Sequence, residues 1–196
     1  MNVAVRRPQM SMDEFLAWEI QQEGRWEFDG FEPRAMVGAS VGHHRIVSTF
    51  ATALRDRLQG RCLVVTETVK LRLNPTVRYP DVMVICSEIP NDATSVGDPL
   101  VVAEVLSNST ARDDRIVKNR EYEGNPSIQR YIVLEQDVMA AEVYSRIDGR
   151  WVRSTVVNDD ILDMPEIGIS LPLSAAYVGL DVPPYVPTLQ DTPDHA

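Results

Sequence analysis

Two acidic residues lie in apolar runs whose composition is typical of buried β-strands. Asp81 stands near the start of YPDVMVIC, residues 79–86, and Glu104 lies within LVVAEVL, residues 100–106. An unpaired carboxylate in such a place costs several kcal/mol unless it takes up a proton. If the two strands are neighbours in one sheet, the carboxylates converge, and their repulsion predicts either a cation between them or protonation of one of them.

A divalent metal ion would explain two converging carboxylates. Mg²⁺ prefers oxygen ligands and is often held by one or two carboxylates together with a substrate phosphate. A bound ion makes its water more acidic and neutralises charge that develops on a phosphate. Asp81 and Glu104 are therefore predicted to be ligands of Mg²⁺ or Mn²⁺. The alternative for each is an edge residue or the partner of an arginine, which is the more usual position of a single acid in a strand.

Lys118 is the third residue with candidate chemistry. It lies four residues after Asp114 and four before Tyr122, so the three side chains share one face of a predicted helix. Its ammonium group could orient an attacking water or stabilise the charge of a phosphate transition state. A solvated surface ion pair between Asp114 and Lys118 is the alternative interpretation of the same spacing.

Periodic patterns predict the helices that position these residues. A capping box formed by Ser11 and Glu14 starts the first helix. Apolar residues at helical spacing predict a second helix over residues 41–59, and a third, over about 112–123, carries the lysine. The second helix is amphipathic, so it is expected to pack on a sheet.

The strands follow from a change in apolar period from 3.6 to 2 after residue 61. The later runs RYIVLE, AAEVYSR and RWVRSTVV complete the set, and Asp148-Gly149 predicts a hairpin between the last two. Asp29-Gly30 predicts an earlier hairpin between two short extended runs. The sequence therefore predicts helices packed on a sheet.

Length and composition limit the class of protein. The chain has 196 residues, of which 44% are apolar and 24% charged, as in an ordinary globular domain. We expect one domain over residues 1–182 and a disordered, proline-rich tail over 183–196. No apolar run is long enough for a membrane span, so a cytoplasmic protein without a membrane partner is expected. Cys62 and Cys86, both in apolar runs, are expected to be reduced core thiols.

The net charge of −10 argues against a nucleic-acid partner, since phosphate binding usually leaves a basic surface. The distribution weakens this objection. Residues 34–130 hold thirteen basic and eleven acidic side chains, net +2, whereas the segments before and after carry −4 and −8. The segment that contains both strand acids is thus the least acidic part of the chain.

Several blocks of this sequence resemble a known family. RWEFDGFEPRAMVGASVGHHRI, YPDVMV, LVVAEVLSNSTARDDRIVKNREY and IQRYIVLEQD occur in this order between residues 12 and 178. They are similar to the Uma2 family of restriction-endonuclease-like proteins, a branch of the PD-(D/E)XK nuclease superfamily that is widespread in bacteria. The resemblance implies an α/β fold, a restriction-endonuclease-like core with a central mixed β-sheet flanked by helices. It also implies Mg²⁺-dependent hydrolysis of DNA phosphodiester bonds.

The resemblance also implies roles for single residues. Asp81 matches the acid of the family's Pro-Asp pair, Glu104 its second acid and Lys118 its lysine, so these three are the implied catalytic residues. The superfamily usually has lysine two residues after the second acid, where this chain has Leu106. The resemblance therefore implies that the lysine has moved to the following helix.

Glu27 and His43 are implied as accessory residues, because they match an acid in the family's first hairpin and a histidine at the start of its second helix. Glu27 would make an outer-sphere metal contact, and His43 would contact phosphate or water. The alternatives are an exposed hairpin carboxylate and a structural histidine. No other cofactor-binding residue is expected.

Two functional hypotheses follow. The first is a Mg²⁺- or Mn²⁺-dependent endonuclease whose partner is nucleic acid, DNA in particular, with a homodimer as one option for its assembly. The second is a catalytically silent nuclease-fold protein that serves as a binding or regulatory module, which the net charge favours. A phosphatase-like enzyme for a small substrate is a third and more distant reading.

Overall fold

The computed structural model describes residues 10–106 and 113–187, without the side chains of residues 113 and 114. Within these ranges lie the α-helices α1 (Met12–Glu19), α2 (Val41–Leu58) and α3 (Asn119–Gly124). A π-helical segment, Asp113–Lys118, directly precedes α3. The three expected helices are confirmed, and the part of the third that was expected before residue 113 lies outside the described residues.

The strands are short and are named in chain order. They are β1 (Trp26–Phe28), β2 (Pro33–Ala35), β3 (Leu63–Thr66), β4 (Lys70–Arg72), β5 (Val77–Arg78), β6 (Val82–Ile85), β7 (Ser95–Val96), β8 (Val101–Val105), β9 (Arg130–Leu134), β10 (Ala140–Ile147), β11 (Arg150–Val157), β12 (Ile161–Met164) and β13 (Ile169–Pro172).

A six-stranded sheet forms the centre of the molecule, in the order β11-β10-β9-β8-β6-β3. Strands β8 and β9 are parallel, and the other neighbours are antiparallel, so the sheet is mixed. A parallel pair needs a crossover connection. The connection from β8 to β9 contains the π-helical segment and α3. Lys118, at the end of that segment, therefore lies on the face of the sheet beside β8.

A smaller sheet, in the order β2-β1-β5-β4-β7, lies beside the central one, and β12 and β13 form a two-stranded ribbon. The first pair, β1 and β2, is the hairpin predicted at Asp29-Gly30. Its loop spans residues 29–32, two residues more than the simplest hairpin turn. The Asp29 carboxylate stabilises this longer loop by accepting the backbone N–H groups of Phe31 and Glu32. The Asp148-Gly149 hairpin is confirmed, with φ of 50° and 75° at its two turn residues.

The two faces of the central sheet bury different cores. On one face, α2 packs with alternate residues of the strands and with the β12–β13 ribbon. On the other face, the remaining strand residues pack with Tyr122 of α3 and with Leu71 and Val96 of the smaller sheet. Each large apolar side chain buried in this way contributes about 1.5–3 kcal/mol. Because neighbouring residues of a strand alternate between faces, Glu104 points to the same face as α3.

The expectation of two reduced thiols is wrong, because Cys62 and Cys86 form a disulfide with a Cα–Cα distance of 4.3 Å. The register of β3 and β6 pairs Leu63 with Ile85, so the next residues outward, the two cysteines, stand directly opposite each other. Directly opposite residues of an antiparallel pair have Cα atoms about 4.5–5.5 Å apart, a separation that a disulfide can span. The sequence alone did not provide this register.

Part of the segment expected to be a disordered tail is described. Pro184 forms a parallel bridge with Met139, and the backbone N–H of Tyr185 donates to the Asn158 side chain at 2.7 Å. Residues 188–196 lie outside the described part of the chain. Among the described helices, none combines the length and apolar character that a membrane crossing requires.

Candidate functional site

Strand register places the two predicted acids opposite each other. Strands β6 and β8 are antiparallel neighbours in which Val82 pairs with Ala103, so one residue further Asp81 faces Glu104. Residues directly opposite in an antiparallel pair point to the same side of the sheet. The expected adjacency of the two strands is therefore present, and both acids line one pocket of about 720 Å³, which lies where β6 begins and β8 ends.

Several parts of the chain enclose the pocket. The β1–β2 hairpin and the loop that follows it form one side, and the first turn of α2 closes the next. The ends of β6 and β8 form the floor, and Lys118 enters from the π-helical segment. π-Helical turns are rare and are often found at functional sites. Here the turn carries a charged side chain toward the sheet.

We define the lysine wall as Glu27, Glu104, Lys118 and Tyr122. The Lys118 ammonium lies 2.9 Å from Glu104 Oε1, and the Tyr122 hydroxyl donates to the same oxygen at 2.8 Å. The side chain of Glu104 is only 3% exposed. Burial, followed by the charge of Glu104, raises the pKa of Tyr122 well above its usual value, so this hydroxyl stays a neutral donor.

A buried arginine contacts the lysine wall through Glu27. Arg78, 5% exposed, makes two hydrogen bonds to the Glu121 carboxylate, of 2.7 and 2.6 Å, and one to Glu27 at 3.1 Å. Burial disfavours its charge, but the two carboxylates outweigh burial and raise the pKa of Arg78. Glu27 also accepts the Tyr79 backbone N–H at 3.1 Å, and one of its oxygens lies 4.0 Å from the Lys118 ammonium. Glu27 is therefore partly buried and ion-paired, not an exposed hairpin carboxylate.

We define the histidine wall as His43, Glu67 and Asp81. His43 Nε2 lies 3.0 Å from Asp81 Oδ2, and the same oxygen accepts the Val105 backbone N–H at 2.7 Å. His43 is 6% exposed. Burial lowers its pKa, but the hydrogen bond and charge of Asp81, together with the charge of Glu67, outweigh burial and leave the pKa raised.

Glu67 was not identified from the sequence. It follows β3 with a φ of 49°, in the left-handed region that non-glycine residues rarely adopt. Its backbone is fixed on both sides, because its N–H donates to the Pro80 carbonyl at 3.2 Å and its carbonyl accepts from Arg25. Residues held in this region cluster at functional sites. The result is a carboxylate directed at His43 and Asp81.

The pocket has an excess of negative charge. Its lining includes five acids, Glu27, Glu67, Asp81, Glu104 and Asp137, against three permanent cations, Arg25, Arg34 and Lys118. The ligand atoms of His43, Glu67 and Asp81 all lie within 4.8 Å of one another, close enough to contact one metal ion. Carboxylate oxygens and an imidazole nitrogen are common ligands of divalent ions. The donor set of the pocket thus fits a divalent metal, and Glu104 lies outside the three-residue group.

All five residues singled out from the sequence line this pocket: Glu27, His43, Asp81, Glu104 and Lys118. Sequence reasoning assigned no role to Glu67, Arg78 or Tyr122, although it placed Tyr122 on the helix face of Lys118. The signal available for Tyr122 was its helical spacing from Lys118, and for Arg78 its place beside the Tyr-Pro-Asp run. Glu67 had no comparable signal, because its position depends on one unusual backbone conformation.

A solved structure shares the fold. The chain is similar to a crystal structure of "a putative nuclease belonging to DUF820" from Anabaena variabilis, with a TM-score of 0.70 and 18% sequence identity over 85% of this chain and 97% of that one. At this identity the likeness shows the fold. The expected α/β class, with a restriction-endonuclease-like core and a central mixed sheet flanked by helices, is confirmed.

The chain belongs to the Uma2 family, whose model is described as "Putative restriction endonuclease" and matches residues 12–174. The resemblance found in the sequence is thereby confirmed. An uncharacterized protein of Synechocystis sp., slr1290, is 32% identical over 178 residues, which cover 88% of this chain and 94% of that protein. A second, sll1609 from the same organism, is 29% identical and covers 75% and 87% of the two chains. Membership of this family supports the classification of the protein as a nuclease.

Proposed function

We propose that this protein is a divalent-metal-dependent endonuclease that hydrolyses phosphodiester bonds of nucleic acid, DNA in particular. The observation that carries the proposal is the convergence of Asp81, Glu104 and Lys118 in one pocket, with the two acids opposite each other on neighbouring strands. These are the residue types that phosphodiester hydrolysis needs: carboxylates for a cation, and an ammonium group for developing charge.

Asp81 and Glu104 would hold Mg²⁺ or Mn²⁺ beside the scissile phosphate. When bound, such an ion lowers the pKa of its water and neutralises charge on the phosphate. In the hydrolysis, the water oxygen forms a new bond to phosphorus, the bond to the leaving sugar oxygen breaks, and that oxygen ends protonated. Glu104 is oriented for its part by the 2.8 Å hydrogen bond from Tyr122.

Lys118 would stabilise the negative charge that grows on the phosphate during the attack. Its ammonium group is held at Glu104 by a 2.9 Å contact and lies 4.0 Å from Glu27. Two carboxylate neighbours favour the charged form of an ammonium group, and a buried positive charge acts strongly on a nearby phosphate. Glu27 would act as an accessory residue that positions Lys118, and His43 as one that supports Asp81.

The charge of the pocket supports a requirement for cations. With five acids against three permanent cations, the lining repels a polyanion unless cations offset its charge. A divalent ion bound at the acids would cancel this net charge at the point of cleavage. Binding of nucleic acid, and not only its hydrolysis, should therefore need the metal.

The test is a cleavage assay with purified protein on supercoiled plasmid, linear duplex, single-stranded DNA and RNA. Each substrate would be incubated with Mg²⁺, with Mn²⁺ and with EDTA. We expect internal cleavage of DNA in either metal and none in EDTA. Asp81→Ala and Lys118→Met, purified in the same way, control for contaminating nucleases and should show no cleavage. RNA as the preferred substrate would correct the substrate class.

A folded protein that cuts none of these substrates would contradict the proposal. It would favour the silent nuclease-fold module, especially if the protein bound nucleic acid equally well in EDTA. Phosphate release from small phosphomonoesters, measured in the same buffers, checks the phosphatase alternative. The homodimer and the cytoplasmic location stay predictions, to be measured by sedimentation and by localisation of a tagged chain.

A further inference from the structure

We infer that His43, Glu67 and Asp81 form a metal site of their own, with one nitrogen and two carboxylate ligands, suited to a divalent first-row transition ion such as Mn²⁺. The inference rests in part on the proposed function, because Asp81 would also serve the cation at Glu104. It adds Glu67 and His43 as direct ligands, where His43 had been expected only to contact phosphate or water.

The spacing of the ligand atoms fits one coordination sphere. Ligands about 2.1 Å from a metal lie about 3.0 Å apart when adjacent and about 4.2 Å apart when opposite. His43 Nε2 and Asp81 Oδ2 are 3.0 Å apart, and all three ligand atoms lie within 4.8 Å of one another. The ligand set therefore needs only small side-chain movements to close on an ion.

Three separate elements bring these ligands together. His43 lies in the first turn of α2, where the Ser40 side chain accepts its backbone N–H at 3.0 Å. Asp81 directly precedes β6 and is held by the Val105 N–H. Glu67 follows β3 in its left-handed conformation. The ligands thus stand on fixed backbone, which favours a defined site over a diffuse group of acids.

The polar atoms at this wall are incompletely matched by the protein. His43 Nδ1 is buried and has no partner in hydrogen-bond geometry among the described residues, so the imidazole contributes to this wall through Nε2, the nitrogen that faces Asp81. The contact described for the Glu67 carboxylate is with His44, at 3.7 Å and on a side chain that is 67% exposed. Two carboxylates therefore approach one imidazole without a permanent cation between them, which an additional cation would correct.

The imidazole decides the class of ion. Mg²⁺ binds oxygen ligands and keeps much of its water, whereas first-row transition ions also accept imidazole nitrogen, with Mn²⁺ the weakest of that series and the one that best tolerates a carboxylate-rich site. We therefore expect Mn²⁺ to bind the parent protein at least tenfold more tightly than Mg²⁺, and His43→Gln to reduce this preference. Glu67→Gln should weaken Mn²⁺ binding at least tenfold, since even the loss of groups behind metal ligands commonly costs 10–100-fold in affinity.

The experiment is calorimetric titration of Mn²⁺ and Mg²⁺ into the parent, His43→Gln, Glu67→Gln and Asp137→Asn, without nucleic acid. Asp137 is a matched control, because it lines the same pocket with an exposed carboxylate but lies outside the ligand group. Electron spin-echo spectroscopy of bound Mn²⁺ then detects a nitrogen ligand directly. We expect a nitrogen signal in the parent that is lost in His43→Gln.

The inference fails if Glu67→Gln binds Mn²⁺ as tightly as the parent, if Asp137→Asn weakens binding equally, or if Mn²⁺ shows no nitrogen ligand. Circular dichroism of each variant excludes unfolding as the cause, and His43→Asn provides a second substitution. Cleavage assays separate this inference from the proposed function. Normal Mn²⁺ binding without cleavage would contradict only the proposed nuclease function. Cleavage that survives Glu67→Gln, with unchanged Mn²⁺ affinity, would contradict only the proposed metal site.

Discussion

The two walls of the pocket solve the problem of buried charge in different ways. In the lysine wall, Glu104 contacts an ammonium group and a hydroxyl, and Glu27 contacts Arg78. In the histidine wall, Glu67 and Asp81 converge on a single imidazole. In the first wall each carboxylate contacts a permanent cation of the protein, whereas in the second the two carboxylates share one imidazole and have no permanent cation among the three residues.

This difference predicts opposite responses to substitution. Where charges are paired and buried, removal of one partner leaves the other without compensation, and the fold is destabilised. Where like charges converge, removal of one relieves repulsion, so the fold gains stability or keeps it while ligand binding is lost. We therefore expect substitutions in the lysine wall to lower both stability and activity, and substitutions of the two carboxylates in the histidine wall to lower ligand binding without loss of stability.

The largest effect is expected from Arg78→Met. Two carboxylates, Glu27 and Glu121, would lose their main partner at a site where the arginine is 5% exposed. We expect the free energy of unfolding to fall by about 4 kcal/mol. Urea denaturation measures it, with Arg153→Met as control, because Arg153 pairs with Glu142 at 3.2 Å on a side chain that is 60% exposed. An equal loss in both variants would contradict the special role of the buried arginine.

Lys118→Met comes next, with an expected loss of about 3 kcal/mol in unfolding free energy and no remaining cleavage. Glu104 would stay buried with the Tyr122 hydroxyl but without the ammonium group. The double variant with Glu104→Gln should recover part of the stability, because no uncompensated charge remains, yet still fail to cleave. Denaturation curves of the two single variants and the double variant measure this. If the double variant is less stable than Lys118→Met alone, the pair is not coupled as described.

Asp81→Asn probes the other wall. In EDTA at pH 8 we expect its melting temperature to equal or exceed that of the parent, since repulsion with Glu67 falls while the amide oxygen can still accept hydrogen bonds from the Val105 N–H and from His43 Nε2. With Mn²⁺ at 100 times its Kd, the parent should gain about 2.7 kcal/mol and the variant nothing. Scanning calorimetry with and without metal measures both. A large loss of stability in EDTA would show that Asp81 stabilises the fold, as the paired charges of the lysine wall are expected to do.

The fold was largely readable from the sequence, because periodicity records which face of each element is buried. The parity of Asp81 and Glu104 along their strands predicted their convergence once β6 and β8 were neighbours, and the register agrees. The disulfide between Cys62 and Cys86 was not predicted, because periodicity does not show which residues of two strands lie opposite each other. It depends on the antiparallel register of β3 and β6, which apolar period alone does not provide.

The candidate site was readable where its residues lie on regular elements. Strand parity indicated the two acids, and helical spacing together with the family resemblance indicated Lys118, but Glu67 depends on a left-handed residue between strands. Arg78 looked like any basic residue at a strand end. Its bidentate bond to Glu121 joins positions 43 residues apart, and local patterns carry no information about such a contact.

The smallest expected effect concerns pH, and it tests whether His43 is the cation of the histidine wall when no metal is bound. Asp81 and Glu67 raise the pKa of His43 above its ordinary value of 6.5 in the folded protein. A histidine with a raised folded pKa contributes stability that is fully present below about pH 6.5 and is lost as pH rises through the folded pKa. In EDTA, the parent should therefore exceed His43→Gln in unfolding free energy by more at pH 6 than at pH 8.5. Urea denaturation at both values, with the exposed His44→Gln as baseline, measures the difference. If the difference in unfolding free energy between parent and His43→Gln instead grows toward pH 8.5, the buried imidazole is stabilised as a neutral group. The negative charge of Glu67 and Asp81 would then lack a cationic partner at either pH.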